Sequence, residues 1–400
     1  MPAMKVPFFR LDTAGNELAY IREVLESGWL TSAGKALEFE AAFADAVGAK
    51  HALAVNSCTA ALHLACETAG VGPGSEVLVP SLTFTATAEV VEYLGATVRL
   101  IDVDPITGMV DPETLTAALA KYPNASCLIP VHLAGIPARM RGNAVAPGLL
   151  DICEANGITL IEDAAHAFPS KYDDTMHVGG PIGSLACCFS FYANKTITTG
   201  EGGMVVTDDE EVASRIRRMR LHGIDRSAYD RLDSVSRPWQ YDVVAAGYKY
   251  NLPDIAAAIG LAQLERAEDF RTARAAVAGE YHQRLHGIPG LRLPIEDTKD
   301  RHSWHLYIIH IDETASITRD DFIDALSQQG IATSVHYKPL HRMTYWKNRT
   351  GILPEELPGA ESWWQGCLSL PIFSAMEEQE TDAVCTAVDK ILAKSKTVRT

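Results

Sequence analysis

Between Ala52 and Ile161 the chain repeats one pattern, a short and nearly continuous apolar run followed by a stretch with helical spacing. The runs are Ala52–Val55, Glu76–Pro80 (EVLVP), Thr97–Asp102 (TVRLID), Ser126–Val131 (SCLIPV) and Ile158–Ile161. Ala86–Leu94 and Gly148–Asn156 read as helices between them. A strand apolar on both faces needs cover on both faces, and intervening helices supply it. The pattern therefore predicts an α/β fold, a mostly parallel central sheet with helices on both sides. In such sheets ligands gather beyond the carboxyl ends of the strands, so chemistry is sought just after each run.

The pattern changes towards the C-terminus. Pro253–Leu285 (containing IAAAIGLAQLERAEDF) predicts one long helix, Ser303–Ile311 (SWHLYIIHI) a strand, and Arg319–Gln328 a helix. Ile331–Tyr337 predicts a further strand and Glu378–Leu392 a closing helix. We expect a large domain over residues 1–260 and a smaller C-terminal α+β domain over residues 261–400. A chain of 400 residues, 47% hydrophobic, can bury more than one core.

A net charge of −16 excludes a broadly basic surface, so nucleic acid binding would need a local stripe. The one candidate, Arg215, Arg217, Arg218 and Arg220, is spaced around a helix rather than along one face, which predicts solvated side chains. No signal-peptide run opens the chain, and no apolar stretch reaches the roughly 18 residues of a membrane span. The eight cysteines show no metal-ligand spacing. The expectation is a cytoplasmic protein without metal or membrane, its thiols free.

Four segments carry candidate chemistry. In ITLIEDAAH, Asp163 follows a buried run; alone it would be a helix-capping acid, but a buried carboxylate needs a cation or donors. In CCFSFYANKTITTGEGG, Lys195 follows a strand; alone it would be solvated, but an apolar site makes lysine a nucleophile, and Ser190 could offer a hydroxyl to a phosphate. In NSCTAALHL, small polar residues open a helix, a ready anion site or ordinary capping by Ser57 or Thr59. In PSLTFTAT, Phe84 is a core aromatic or a plate for a planar heterocycle. Each signal is weak by itself. Together, at the strand ends of one sheet, they supply a phosphate cradle, an aromatic plate, a buried acid and a lysine, the set that pyridoxal phosphate requires.

The same segments resemble the DegT/DnrJ/EryC1/StrS family of sugar aminotransferases, within the fold type I pyridoxal-phosphate enzymes. The resemblance starts at GWLTSAGKALEFEAAFADAVGAKHALAVNSCTAALHL and runs through VPSLTFTAT, PVHLAG, IEDAAHA and SFYANKTITTGEGGMVVTDD. It continues through GYKYNLPDIAAAIGLAQLER to VHYKPLH and SLPIF. It implies that Lys195 forms the Schiff base and shuttles the proton, and that Asp163 pairs with the pyridine nitrogen. His166, where the family usually has Gln, would sit near the ring hydroxyl, Ser190 and the Cys58–Thr59 turn would bind the phosphate, and Phe84 would stack on the ring. Many members carry Asn in a GYNxR segment that reaches the neighbouring subunit's phosphate. Here the segment is Gly247-Tyr248-Lys249-Tyr250-Asn251, so Lys249 or Asn251 would make that contact in a homodimer with shared sites.

The implied reaction takes an amino group from L-glutamate to a nucleotide-linked keto sugar. ITTGEGGM and GYKYNL resemble members acting on 4-keto-6-deoxy hexoses. His336 would face the sugar, with Lys338, Arg226 and Arg237 as candidate donors to the nucleotide. A keto-cyclitol is an alternative acceptor. A sugar dehydratase would replace the lysine with His, and a non-catalytic regulator would lack the lysine or carry a DNA-binding domain; Lys195 argues against both.

Overall fold

The protein is described by a computed structural model covering residues 4–143, 145–225, 241–296 and 300–397. Ten strands form two sheets: β1 His51–Val55, β2 Glu76–Pro80, β3 Thr97–Ile101, β4 Ala125–Leu128, β5 Thr159–Asp163, β6 Ala186–Ser190, β7 Gly203–Thr207, β8 Leu291–Arg292, β9 Tyr307–Ile311 and β10 Cys367–Leu370. The first seven lie in the order β1-β7-β6-β5-β4-β2-β3 and the last three in the order β10-β9-β8. From β3 through β6 the neighbours are parallel, while β7 runs antiparallel to both β6 and β1. Every parallel strand predicted from an apolar run is present, β2 with the predicted ends and the others with one or both ends shifted.

The large sheet is covered on two sides. One core gathers Leu53, Val77, Leu78, Leu100, Leu128, Ile161 and Cys188. The other gathers Phe39, Phe43, Phe168, Phe189 and Phe191. Their rings pack at 4.7 Å (Phe43–Phe168), 5.1 Å (Phe43–Phe189) and 5.2 Å (Phe39–Phe191), contacts that contribute about 0.5–1.5 kcal/mol each beyond burial. Because side chains alternate along a strand, burying Phe189 and Phe191 turns Ser190 to the opposite side. The small sheet has its own core, with Tyr281, Tyr307, Ile309, Phe322, Leu368 and Val388, joined by Val6 from the N-terminal segment. Leu340, Trp346 and Trp363, although late in the chain, pack on the large-sheet core.

Three expectations are corrected. The helix predicted over Pro253–Leu285 is two helices, Asp254–Leu264 and Ala267–Leu285. The N-terminal segment docks at the break, where Arg266 pairs with Asp12 at 2.8 Å and Gln263 donates to the Asp12 carbonyl at 2.8 Å. The strand predicted from Ser303 begins only at Tyr307, because Trp304 has φ 51° and turns the chain out of the ladder. The predicted strand Ile331–Tyr337 reduces to two isolated bridges, Val6–Ile331 and Ser334–Ser369. At its end the His336 carbonyl accepts from the Trp363 indole at 3.1 Å rather than from a strand.

The arginine group is solvated only in part: Arg217 is exposed, but the Arg220 side chain is largely buried. Arg215 pairs with Glu67, Arg220 with Glu40, and Arg218 donates to the Ser214 carbonyl. Among the described residues no helix is long and apolar enough to cross a membrane, no group of His, Cys, Asp and Glu could hold a metal ion, and the cysteines are free.

Candidate active site

A cavity of about 410 Å³ opens where β5, β6 and the turn after β6 meet the start of the helix Cys58–Thr68. It is lined by Cys58, Thr59, Phe84, Asp163, His166, Ser190, Lys195 and His336, all expected from the sequence, and by Thr87, Asn194, His305 and Tyr337.

Asp163 ends β5 and is buried. Its Oδ2 accepts from the Thr87 hydroxyl at 2.7 Å and its Oδ1 from the Ala165 N–H at 3.1 Å. Burial raises its pKa above the ordinary carboxylate value, and these donors and Lys195 only partly oppose that. A buried carboxylate held by two neutral donors has an unmet demand for a cation.

Lys195 sits one short turn after β6, its N–H bound to the Tyr192 carbonyl at 2.9 Å. The turn is tied to β7, with Phe191 donating to the Gly202 carbonyl at 2.9 Å. Burial pushes the amine down to about 8, against the opposing pull of Cys58 and Asp163. The amine therefore gives up its proton far more readily than a solvated lysine, as a nucleophile or proton carrier requires.

The helix Cys58–Thr68 is capped by Ser57, whose hydroxyl accepts from the Ala60 N–H at 3.1 Å. The N–H groups of Cys58 and Thr59 have no intrahelical acceptor, and both residues line the cavity together with Ser190. Close approach of β7 makes this possible, since a Cβ at Gly203 would lie 2.6 Å from the Ser57 carbonyl carbon. Phe84 is 61% exposed, so it is a bare plate on the cavity wall and not a core aromatic.

His166 is buried and held neutral, its pKa driven well below the ordinary value by burial and then by Lys195. Its Nδ1 accepts from the Ala134 N–H at 3.3 Å, which puts the ring proton on Nε2, 3.0 Å from the Tyr337 hydroxyl. His336 is also held neutral, pushed down to about 3 mainly by burial, with Nδ1 2.7 Å from the Ser369 hydroxyl. It is therefore a wall of the cavity.

Lys249, Asn251 and Lys338 do not line this cavity. Lys249 donates to the Asn251 side-chain oxygen, whose amide nitrogen donates to Ser32 at 2.7 Å. Arg226 and Arg237 lie outside the described residues. Thr87, Asn194, His305 and Tyr337 went unread in the sequence. Thr87 lies one helical turn after Thr83 within PSLTFTAT, a spacing that could have drawn attention to it. His305 and Tyr337 carried no signal, because each arrives from the far third of the chain.

The donor set fits pyridoxal phosphate: backbone N–H groups and a serine hydroxyl for a phosphate, a plate for a ring, a buried acid for a pyridinium, and a lysine of lowered pKa for a carbonyl. Comparison with known proteins agrees. The sequence profile of the DegT/DnrJ/EryC1/StrS aminotransferase family matches residues 12–389. The spore coat polysaccharide biosynthesis protein SpsC of Bacillus subtilis is 42% identical over 380 residues, 94% of each chain. The crystal structure of S. venezuelae DesV in complex with a ketimine intermediate superposes with a TM-score of 0.85 at 32% identity, covering 97% of this chain and 98% of that one. The PMP form of Spr1654 from Streptococcus pneumoniae, a sugar aminotransferase by its description, gives 0.86 at 29% identity over 99% and 100%.

Proposed function

The chain belongs to the DegT/DnrJ/EryC1/StrS aminotransferase family and is a pyridoxal-phosphate-dependent sugar aminotransferase. From that premise we propose that it transfers the amino group of L-glutamate to a nucleotide-linked 4-keto-6-deoxy hexose destined for a surface polysaccharide. What supports the amino-transfer chemistry is the placement, in one cavity, of Lys195, whose amine burial pushes down to about 8, and the buried carboxyl of Asp163.

When bound, pyridoxal phosphate supplies a carbonyl for an amine and an electron sink for the carbon that exchanges a proton. The chain does the rest. Cys58 and Thr59 N–H groups with the Ser190 hydroxyl would hold the phosphate, Phe84 would offer its face to the ring, and His166 would donate from Nε2 to the ring oxygen. Asp163 holds a positive charge at the ring nitrogen. Lys195 would carry a proton between the substrate carbon and the cofactor carbon that receives the nitrogen, in one direction with the donor and in the other with the acceptor. The neutral His336 faces the sugar, and Lys338, exposed outside the cavity, meets the nucleotide's phosphates.

Stripped to its amine-carrying form, the enzyme should regain visible absorbance with a nucleotide-linked 4-keto-6-deoxy sugar and stay colourless with keto-inositols. Recovery with a keto-inositol alone would overturn the sugar assignment.

We propose further that Lys249, braced by Asn251, completes the phosphate site of a neighbouring subunit in a homodimer. Its place outside its own chain's cavity supports this. Mixing Lys195→Ala subunits with Lys249→Ala/Asn251→Ala subunits should then restore about a quarter of wild-type activity, since half the dimers carry one intact site. No recovery, with subunit exchange demonstrated, rules against a shared site.

A further inference from the structure

One side chain among the described residues lies within hydrogen-bonding reach of the Lys195 amine. It is His305, whose Nε2 is 3.5 Å from Nζ. Nothing in the reading above uses it, yet three features make its placement costly. Trp304, its neighbour, has φ 51°, a conformation that bulky residues avoid and that persists only where the surroundings enforce it. Arg274 enforces it. That guanidinium is buried with no carboxylate partner among the described residues, and its Nη1 donates to the carbonyls of Trp304 at 3.2 Å, His305 at 3.4 Å and Ile372 at 2.9 Å. Burying a cation for the sake of carbonyls is unfavourable unless the geometry it fixes is needed. His305 itself is 5% exposed, and its Nδ1 has no hydrogen-bond partner, an uncommon state for a buried ring nitrogen.

The ring's surroundings settle its state. Burial keeps it neutral, and Lys195, His166, Arg274 and His336, the charged or titratable groups that face it, act in the same direction. The amine is faced in addition by Cys58 and Asp163. The His166 ring, itself fixed from Ala134, packs on His305 with centroids 4.5 Å apart and braces its plane.

Resting on the assignment of Lys195 as the amine that bonds the cofactor, we propose that His305 is a positioning residue: its Nε2 accepts an N–H of Lys195, with the ring proton on Nδ1, and so aims the amine into the cavity. The contact is long in the resting structure and confines the amine without immobilising it. No proton need leave either group, so His305 acts through Lys195 and not on the substrate.

The test uses full-length protein stripped of cofactor and follows the visible absorbance that grows as pyridoxal, lacking the phosphate, bonds to Lys195. This reads the aim of the amine independently of turnover and of the phosphate site. His305→Gln keeps an acceptor and should react within about threefold of wild type. His305→Phe keeps a ring without an acceptor and should react roughly ten- to a hundredfold more slowly, with its thermal midpoint and pyridoxal-phosphate stoichiometry unchanged. His305→Leu serves the same comparison if the Phe ring is not accommodated. A folded Phe or Leu variant that reacts at the wild-type rate overturns the proposal, as does equal slowing of the Gln and Phe variants, which would indicate packing alone. Lys195→Ala run in parallel should give no absorbance. If it does give the band, the lysine assignment falls and this proposal with it; if only the His305 variants behave as wild type, the lysine assignment stands.

Discussion

Lys195→Ala is expected to give a colourless protein that folds normally and no longer transfers amino groups. The visible band of the lysine-bound cofactor should vanish, and the turnover rate should fall by a factor on the order of 10⁴ or more, because one side chain acts both as nucleophile and as proton carrier. Stability should not suffer. The amine sits where burial opposes its charge, and its one side-chain hydrogen bond among the described residues is the long one to His305. Circular dichroism and thermal melting should therefore match wild type. An unchanged visible spectrum in the variant would refute the assignment of Lys195.

The second large effect concerns Asp163→Asn, which should damage activity and improve the cofactor-free protein. Without a carboxylate the ring nitrogen loses its counter-charge, and the rate should fall roughly 10²–10⁴-fold, comparable to losing a positioned acid or base. In the cofactor-free state the same carboxylate is a burden, held by Thr87 and the Ala165 N–H but, among the described residues, by no cation within hydrogen-bonding distance. An Asn amide can accept from Ala165 and donate to Thr87, whose own proton can turn to the Phe84 carbonyl at 3.1 Å. The substitution should stabilise the cofactor-free protein by about 1 kcal/mol or more.

The pH dependence of that gain has a definite sign. The folded-state pKa of Asp163 lies above its ordinary 3.8. Below the ordinary value the acid is protonated in both folded and unfolded chains and costs nothing. As pH rises through the raised value the folded chain must ionise it, so stability is lost. The advantage of Asp163→Asn should be absent near pH 3 and grow with pH to a plateau. A difference that shrinks as pH rises would contradict an uncompensated carboxylate.

The parts of this site that were legible in the sequence are those where local pattern and chemistry coincide. Asp163 and Lys195 each follow a strand that is apolar for its own reasons, so each had to lie at the sheet's edge. Ser190 was legible as a hydroxyl for a phosphate on the strand before Lys195, and its face followed once Phe189 and Phe191 were seen to be buried. Phe84 was ambiguous until its exposure showed which of its two readings applied. The helix break at Glu265 and Arg266 was invisible, since neither Gly nor Pro marks it and the partner that docks there, Asp12, is 254 positions away from Arg266. His305 was read as one more residue of an alternating strand; its place is set by Arg274, which no local pattern connects to it.

By itself, then, the sequence determined the parallel sheet, the identity and strand-end placement of the lysine and the acid, and the helix start that offers its N–H groups, because periodicity and burial act over a few residues. Tertiary structure alone decided the protonation of Lys195, Asp163, His166 and His336, the side wall formed by His305 and Tyr337, and the exclusion of Lys249 from its own chain's cavity. Those properties depend on which groups meet across long separations and on how much water they exclude, and both are fixed only when the two cores close around the cavity.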